Sequence, residues 1–314
     1  MPRPFRFGVL SHNTTSSLGT LISKARTAEV LGYATFLVPD HLGDQFAPAV
    51  ALAAVAGATK DLRVGSCVFN NDFRHPLMLA KDVATLDMLS EGRSEWGLGA
   101  GWMRSEYDQA GIAFDSADTR IRRMQEAVRL IKLALTGGPV SFCGDYYTAR
   151  GWPGRPRTLQ QPYSPLFMGG GGQRMLSIAA QEADIVGLTT KGLLDGSGLD
   201  RSDLLLAATE QKVAWIGQAA GPRLSKLELS LLVADMCVTD QWQQGVSQLA
   251  DRLKLLPEQV RASLHLLVGT PEQICEKLRV SRDRYGISYW VVWEEHLQAF
   301  APVVARLSGG SPNA

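Results

Sequence analysis

The sequence is short of the features that mark several common classes of protein. Its 314 residues include four cysteines, Cys67, Cys143, Cys237 and Cys275. They lie far apart, with no C-x-x-C pair and no metal-ligand spacing. This argues against a disulfide framework or a cysteine metal centre, and reduced thiols in a cytosolic protein are the expectation. The five histidines form no H-x-x-x-H or similar pattern, so no metal site is expected. Neither sign of charge dominates, with 32 basic side chains against 31 acidic ones. That removes global electrostatic attraction as a way of holding nucleic acid or a membrane surface. No apolar run reaches the ~20 residues of a membrane helix. The opening MPRPFRFGVL has neither an apolar h-region nor a small-residue cleavage site, so a cytoplasmic protein is expected.

What is present is an alternation. A short apolar run over residues 5–10 is followed by Leu18, Leu21, Ile22, Ala25, Ala28 and Leu31 at helical spacing, stopped by Gly32. The pattern recurs: strands over 34–39, 62–69 and 93–100, and helices over 46–59, 76–89 and 119–135. An irregular stretch over 137–161, with a hairpin-like VSFCGDYYTARG portion, interrupts it. A strand over 165–168 leads into a glycine run at 169–172 and a helix over 173–182. Further strands are read over 184–189, 226–238 and 288–294, and helices over 201–218 and 270–285. Strands alternating with helices predict a parallel sheet, and their apolar rather than alternating composition predicts burial on both faces. Eight such units fit a closed (β/α)₈ TIM barrel with insertions, with an open doubly wound sheet as the alternative. The chain is expected to be a single domain over 1–314, with insertion segments near 137–161 and 189–201.

In a barrel, the chemistry lies at the C-terminal ends of the strands. Those ends bring together Ser11-His12-Asn13, Asp40-His41, Asn70-Asn71, Gly101-Trp102, the glycine run, Thr189-Thr190 and Trp293-Glu294-Glu295. GGGGQ follows a strand and opens a helix. It is either a flexible turn or a cradle in which backbone N–H groups bind phosphate. His41 is a candidate acid or base whose tautomer the neighbouring Asp40 carboxylate can hold; the plainer reading is a capping Asp beside a surface His. His75, before Pro76 at a helix start, reads as structural. Trp102 either walls a planar ligand or covers the barrel mouth. His12, Asn13, Trp102 and Trp293 are candidate substrate-pocket residues.

With these residues laid out, the chain resembles the luciferase-like monooxygenase superfamily, and in particular its coenzyme F420-dependent oxidoreductase branch. The resemblance rests on VPDHL at 38–42, LRVGSCVFNNDFRHP at 62–76, LSEGRSEWGLGAGW at 89–102 and PLFMGGGGQRMLSIAAQEAD at 165–184, in that order. It implies a homodimer of barrels with a flavin-like ring lying in the mouth. It implies that Asp40 and His41 lie beside that ring, and that Cys67, Val68, Phe69 and Asn70 form its backing, with a cis bond between Cys67 and Val68. It also implies that Gly170, Gly171, Gly172 and Gln173 bind the cofactor phosphate.

One position departs from the pattern. Sugar-phosphate dehydrogenases of the superfamily carry a glutamate where this chain has Trp102, and Glu106, four residues on, is expected to point to a different face. An apolar or planar substrate is therefore expected, chosen by the 137–161 and 189–201 segments, the second of them a lid. The implied activity is hydride transfer between reduced F420 and a small organic substrate. The alternatives are an FMN-dependent monooxygenase using reduced flavin and O₂, served by a separate reductase, and a non-catalytic flavin-binding protein.

Overall fold

Apolar runs of four to seven residues, separated by amphipathic stretches, are best buried as a parallel sheet with helices packed on one side. A computed structural model, described for residues 3–12, 17–193 and 195–308, has this arrangement closed into a barrel. The strands are β1 (Arg6–Leu10), β2 (Thr35–Val38), β3 (Arg63–Ser66), β4 (Ser94–Gly99), β5 (Leu166–Gly170), β6 (Ile185–Leu188), β7 (Glu228–Leu232) and β8 (Ile287–Trp293). All are parallel to their neighbours, and β8 returns to β1 with Arg6 opposite Tyr289 and Leu10 opposite Trp293.

The β3–β4 pairing is only two residues long, Val64 with Ser94 and Gly65 with Glu95. Beyond it the chain bulges through a cis Cys67–Val68 bond, and Phe69–Asn70 re-pairs with Leu98 and Gly99. Glycine at position 97 makes this close approach feasible, because a Cβ there would stand 2.2 Å from the Ser66 carbonyl oxygen.

Helices α1 (Leu18–Val30), α2 (Pro48–Ala58) and α3 (Pro76–Leu89) follow the first three strands. The next are α4 (Arg104–Ala110), α5 (Ala117–Thr136), α6 (Gln173–Glu182) and α7 (Leu206–Ala220), and the C-terminal region carries α8 (Trp242–Leu253), α9 (Pro257–Ala262), α10 (Pro271–Tyr285) and α11 (Leu297–Leu307). Their ends are set by local chemistry. Ser17 caps α1 by accepting from the Thr20 N–H. His75 caps α3, its imidazole accepting from the Leu77 N–H at 3.2 Å, which is the structural role expected of it. Thr270 and Gln273 form a reciprocal capping box on α10, and Gly286 closes that helix in the left-handed region. Among the described residues no helix is long and apolar enough to cross a membrane.

Several sequence expectations are corrected. The single strand over 226–238 is two. β7 ends at Leu232, and Asp235–Val238 leaves the barrel to pair with Leu266–Gly269. The break falls where the Val233 N–H bonds the Val291 carbonyl while the Ala234 N–H bonds that of His265. The helix over 201–218 begins as a 3-10 turn, Arg201–Leu204, and extended backbone at Leu205 separates this turn from α7. The 137–161 excursion forms the expected hairpin, Val140–Cys143 with Thr148–Trp152. It then runs toward the opposite end of the barrel, where Gln160 donates to Asp87 and to the Ser94 carbonyl at the start of β4.

Apart from a small C-terminal cluster of Val246, Leu249, Ala250, Val260 and Leu266, two apolar layers hold the described residues together. The larger lies between barrel and helices; the smaller fills the barrel with Leu10, Leu37, Phe167, Ile185, Tyr289 and Val291. Below the inner layer lies a charged floor. The Glu95 carboxylate takes Arg63 Nε at 2.8 Å and the Arg6 guanidinium, which also reaches Glu228 at 2.8 Å and stacks 3.8 Å from the Tyr289 ring centre.

His265 has an acid-sensitive environment. It is 1% exposed, its Nδ1 donates to the Leu232 carbonyl at 2.8 Å, and its Nε2 has no partner among the described residues. Burial pushes its pKa down from 6.5 to about 4, so the folded protein holds this ring neutral. The folded state binds fewer protons than the unfolded one in that window. Stability is therefore complete above pH 6.5 and falls as the pH drops toward 4. Urea unfolding at pH 7 and pH 4.5 is expected to show roughly 2–3 kcal/mol more loss in wild type than in His265→Gln. An equal loss in both proteins would remove His265 from this account.

Candidate active site

The C-terminal rim of the barrel opens onto a cavity of about 690 Å³, reached by residues from the ends of β2, β4, β5, β6 and β8. The turn after β2 contributes Asp40 and His41. The bulge after β3 contributes Cys67, Val68 and Asn70, and β4 runs into Gly101 and Trp102. Gly170, Gly171 and Gly172 come from the end of β5, and Trp293 from the end of β8.

The Asp40–His41 pair divides its work differently from the sequence expectation. Asp40 does not hold the imidazole. Its carboxylate is 4% exposed, accepts from both terminal nitrogens of the Arg74 guanidinium and accepts the Asn70 N–H at 2.8 Å. It therefore braces the end of β2 against the bulge.

The partner of His41 is Glu106. His41 Nδ1 lies 2.9 Å from Glu106 Oε1, which also accepts the Leu42 N–H at 2.9 Å. Glu106 is 6% exposed and lines the cavity together with Trp102, so the expectation that it points to a different face is overturned. The physical reason is local. α4 begins only at Arg104, so helical spacing does not apply from Trp102 onward, and Glu106 falls in the first turn of α4. A carboxylate is favoured there by the helix dipole. The Trp102 ring stands edge-on to His41, 6.1 Å centre to centre.

Glu106 Oε1 already accepts from the Leu42 N–H, so the hydrogen between it and the ring is assigned to His41 Nδ1, and Nε2 is left for a ligand. The Cys67 thiol is pushed up to about 12 by burial, with Glu95 adding to the effect. That disfavours the thiolate, the nucleophilic form of the side chain.

The remaining expected residues separate into two groups. Asn70 lines the cavity, and its Oδ1 accepts from the Tyr107 hydroxyl at 3.2 Å and the Asp72 N–H at 3.0 Å. Phe69 does not line it; this side chain is 2% exposed, lies in the outer core and packs under the Arg74 guanidinium. Gln173 is exposed on α6 and is not part of the lining, whereas Arg174 and Met175 are. Trp293 lines the cavity, but His12 stacks on it at 4.7 Å, pairs with Glu295 at 3.0 Å and stays outside the lining. Asn13 lies outside the described residues.

No residue of the 137–161 segment lines the cavity, so that segment does not shape the pocket as expected. In the other segment, Gly192 bridges to Leu199 in a short ribbon, and Lys191, Leu193 and Leu199 face the cavity. Among the described residues no group of His, Cys, Asp and Glu is placed to hold a metal ion.

Comparison with known proteins follows the same lines. The family model described as luciferase-like monooxygenase matches residues 3–197. An FMNH(2)-dependent dimethylsulfone monooxygenase of Pseudomonas putida is 30% identical over 131 residues, 42% of this chain and only 36% of that protein's length. An F420-dependent glucose-6-phosphate dehydrogenase of Nakamurella multipartita is 26% identical across 90% of this chain and 88% of its own. The F420-dependent tetrahydromethanopterin reductase of Methanopyrus kandleri superimposes with a TM-score of 0.74 over 96% of this chain and 97% of its own, at 19% identity, a likeness of fold. With a barrel of this topology and a family match across more than half its length, the chain belongs to the luciferase-like monooxygenase family.

Proposed function

We propose that the protein is a flavin-type oxidoreductase whose reaction is hydride transfer between reduced coenzyme F420 and a small organic substrate. The observation that carries this reading is the His41–Glu106 pair, 2.9 Å apart, on a cavity that also meets the cis Cys67–Val68 bulge and an open glycine turn. The residues present fit such a cofactor. The cavity volume falls within the roughly 300–1,000 Å³ of small-molecule sites. A Cβ on Gly172 would meet no atom within 4 Å, and the first turn of α6 carries no acidic residue or side-chain cap. Its backbone N–H groups are thus open to an anion. Gly170, Gly171, Gly172 and Arg174 would hold the phosphate, and Val68 and Asn70 the ring.

Such a cofactor would supply the two-electron chemistry; the chain supplies position, protons and dryness. Glu106 fixes the His41 tautomer, and His41 Nε2 gives or takes the substrate's proton. Asp40, through Arg74 and Asn70, is a positioning residue. Leu10, Phe167 and Val291 exclude water beneath the reacting atoms. Trp102 replaces a polar group with an indole, which favours an apolar or planar substrate over a sugar phosphate. We further take the chain to act as one domain in a cytoplasmic homodimer, which light scattering of the purified protein checks. The exposed Val50 of α2 and Met78 of α3 support the dimer.

A second reading is an FMN-dependent monooxygenase served by a separate reductase, supported by the 30% identity to the FMNH(2)-dependent enzyme. Reconstitution with each cofactor tests the choice. Tighter binding of the deazaflavin, with substrate reduction by its reduced form, is expected. Micromolar FMN binding with no deazaflavin binding overturns the F420 reading in favour of the second.

A further inference from the structure

Behind the glycine turn lies a lysine with almost no access to solvent. The side chain of Lys212, on α7, is 1% exposed. Its ammonium donates to Asp203 Oδ2 at 2.7 Å, to the Thr189 carbonyl at 2.9 Å and to the Asp203 carbonyl at 3.4 Å. Burial lowers its pKa, and the Asp203 carboxylate works against that shift. Asp203 Oδ2 accepts a second hydrogen bond, from the Lys191 N–H at 2.7 Å, and the Asp200 N–H donates to the Lys191 carbonyl at 2.8 Å.

Stability alone does not account for this pair, because apolar side chains of similar volume commonly replace a buried ion pair without loss. What apolar side chains cannot do is grip a carbonyl and an N–H two residues apart. The segment so gripped lies directly on the glycine turn. A Cβ on Gly171 would stand 2.3 Å from Lys191 N and 2.6 Å from Asp203 Oδ2. The Thr189 N–H also points at the Gly170 carbonyl, 3.4 Å away. Thr189, Thr190 and Lys191 then form the cavity wall next to Gly170–Gly172.

We propose that the buried Lys212–Asp203 pair is a positioning device that locks the 189–191 backbone onto the glycine turn. It thereby sets affinity for the phosphoryl end of the bound cofactor and leaves the ring end unaffected. This rests on the reading of Gly170–Gly172 as a phosphate cradle.

The test compares ligands that share a ring and differ in phosphate: FMN against riboflavin, and the deazaflavin cofactor against its dephosphorylated form. Each is titrated into wild type, Asp203→Asn and the Lys212→Met/Asp203→Leu double variant. In the double variant the phosphorylated ligands are expected to weaken about tenfold or more and the phosphate-free ones to stay within about twofold. Asp203→Asn, which keeps the side-chain shape and an acceptor for Lys191, is expected to show the same selectivity at about threefold. Without ligand, amide exchange of residues 189–191 is expected to rise about tenfold in the double variant. Retained riboflavin binding shows that the variants are folded; if the double variant does not fold, Asp203→Asn decides. A phosphate preference or amide exchange unchanged by the substitutions overturns the proposal while the cradle reading stands. Equal weakening of both ligand forms also overturns it, reducing the pair to a general prop. A wild type that binds each ring equally well with and without phosphate removes the cradle reading, and this inference with it.

Discussion

Replacing His41 by alanine is expected to lower substrate turnover by about 10²–10⁴, the usual contribution of a positioned acid or base, with cofactor affinity changed by no more than about threefold. The reasoning is geometric. His41 is 29% exposed at the side chain and faces the cavity, and Glu106 occupies its Nδ1. Only Nε2 is then placed to exchange a proton with a ligand. Glu106→Gln should cost less, about 10–100-fold, because an amide can still accept from Nδ1 but no longer stabilises an imidazolium. Added imidazole should restore part of the His41→Ala activity and none of the Glu106→Gln loss. Steady-state kinetics with the reduced cofactor and a screened substrate measure all three. Full activity in His41→Ala would sink the acid–base assignment. Binding retained with turnover abolished would dispose of the alternative that the protein only binds its cofactor.

The second large effect lies at the other end of the barrel. Glu95→Ala is expected to destabilise the fold by about 3 kcal/mol or more, because it leaves Arg6 and Arg63 without their shared carboxylate. Glu95 is 1% exposed at its side chain, and Arg6 and Arg63 are 20% and 26% exposed. Burial favours the neutral acid, yet the two guanidinium groups hold the carboxyl below its ordinary value, so it is charged when folded. The partial exposure of the arginines lets water screen them, which puts the effect toward the low end of buried-pair losses. Urea unfolding of wild type, Glu95→Ala and Glu95→Leu/Arg6→Met checks this. The double variant should recover only part of the loss, since it removes the stranded Arg6 charge but leaves Arg63 without its carboxylate and Glu228 without Arg6. A loss under about 1 kcal/mol in Glu95→Ala would mean that the floor is solvated well enough to need no pairing.

The separation of these effects follows from the barrel itself. The floor side chains enter near the N-terminal ends of β1, β3, β4 and β7, and the cavity opens beyond the C-terminal ends. The inner apolar layer of Leu10, Leu37, Phe167 and Val291 lies between the two. Stability can therefore be perturbed at the floor with little change in the mouth, and the two variant series can be interpreted independently.

Periodicity alone carried most of the architecture. Residues 76–89 and 173–182 read as helices with the bounds they have, because Pro76 and the glycine run supply unambiguous starts. The strand over 226–238 was misread because an apolar run does not record where its hydrogen-bond partner changes. Only the competing carbonyls of Val291 and His265 end β7 at Leu232. The helices α4, α8, α9 and α11 went unread beside stronger patterns, although α8 and α11 carry apolar faces.

At the site, the sequence by itself determined which residue types reach the rim: the Asp-His pair, the bulge, the tryptophans and the glycine turn. Strand ends are local features, and the barrel topology carries them to one face. What only the tertiary structure decided is which carboxylate serves which partner. Asp40, adjacent in sequence to His41, turns away to Arg74, and Glu106, 65 residues on, takes the imidazole. Adjacent residues on an extended backbone point to opposite sides, whereas residues far apart in the chain meet wherever the barrel's rim brings them. For the same reason the junction of Lys212, Asp203 and Gly171 left no trace in the sequence.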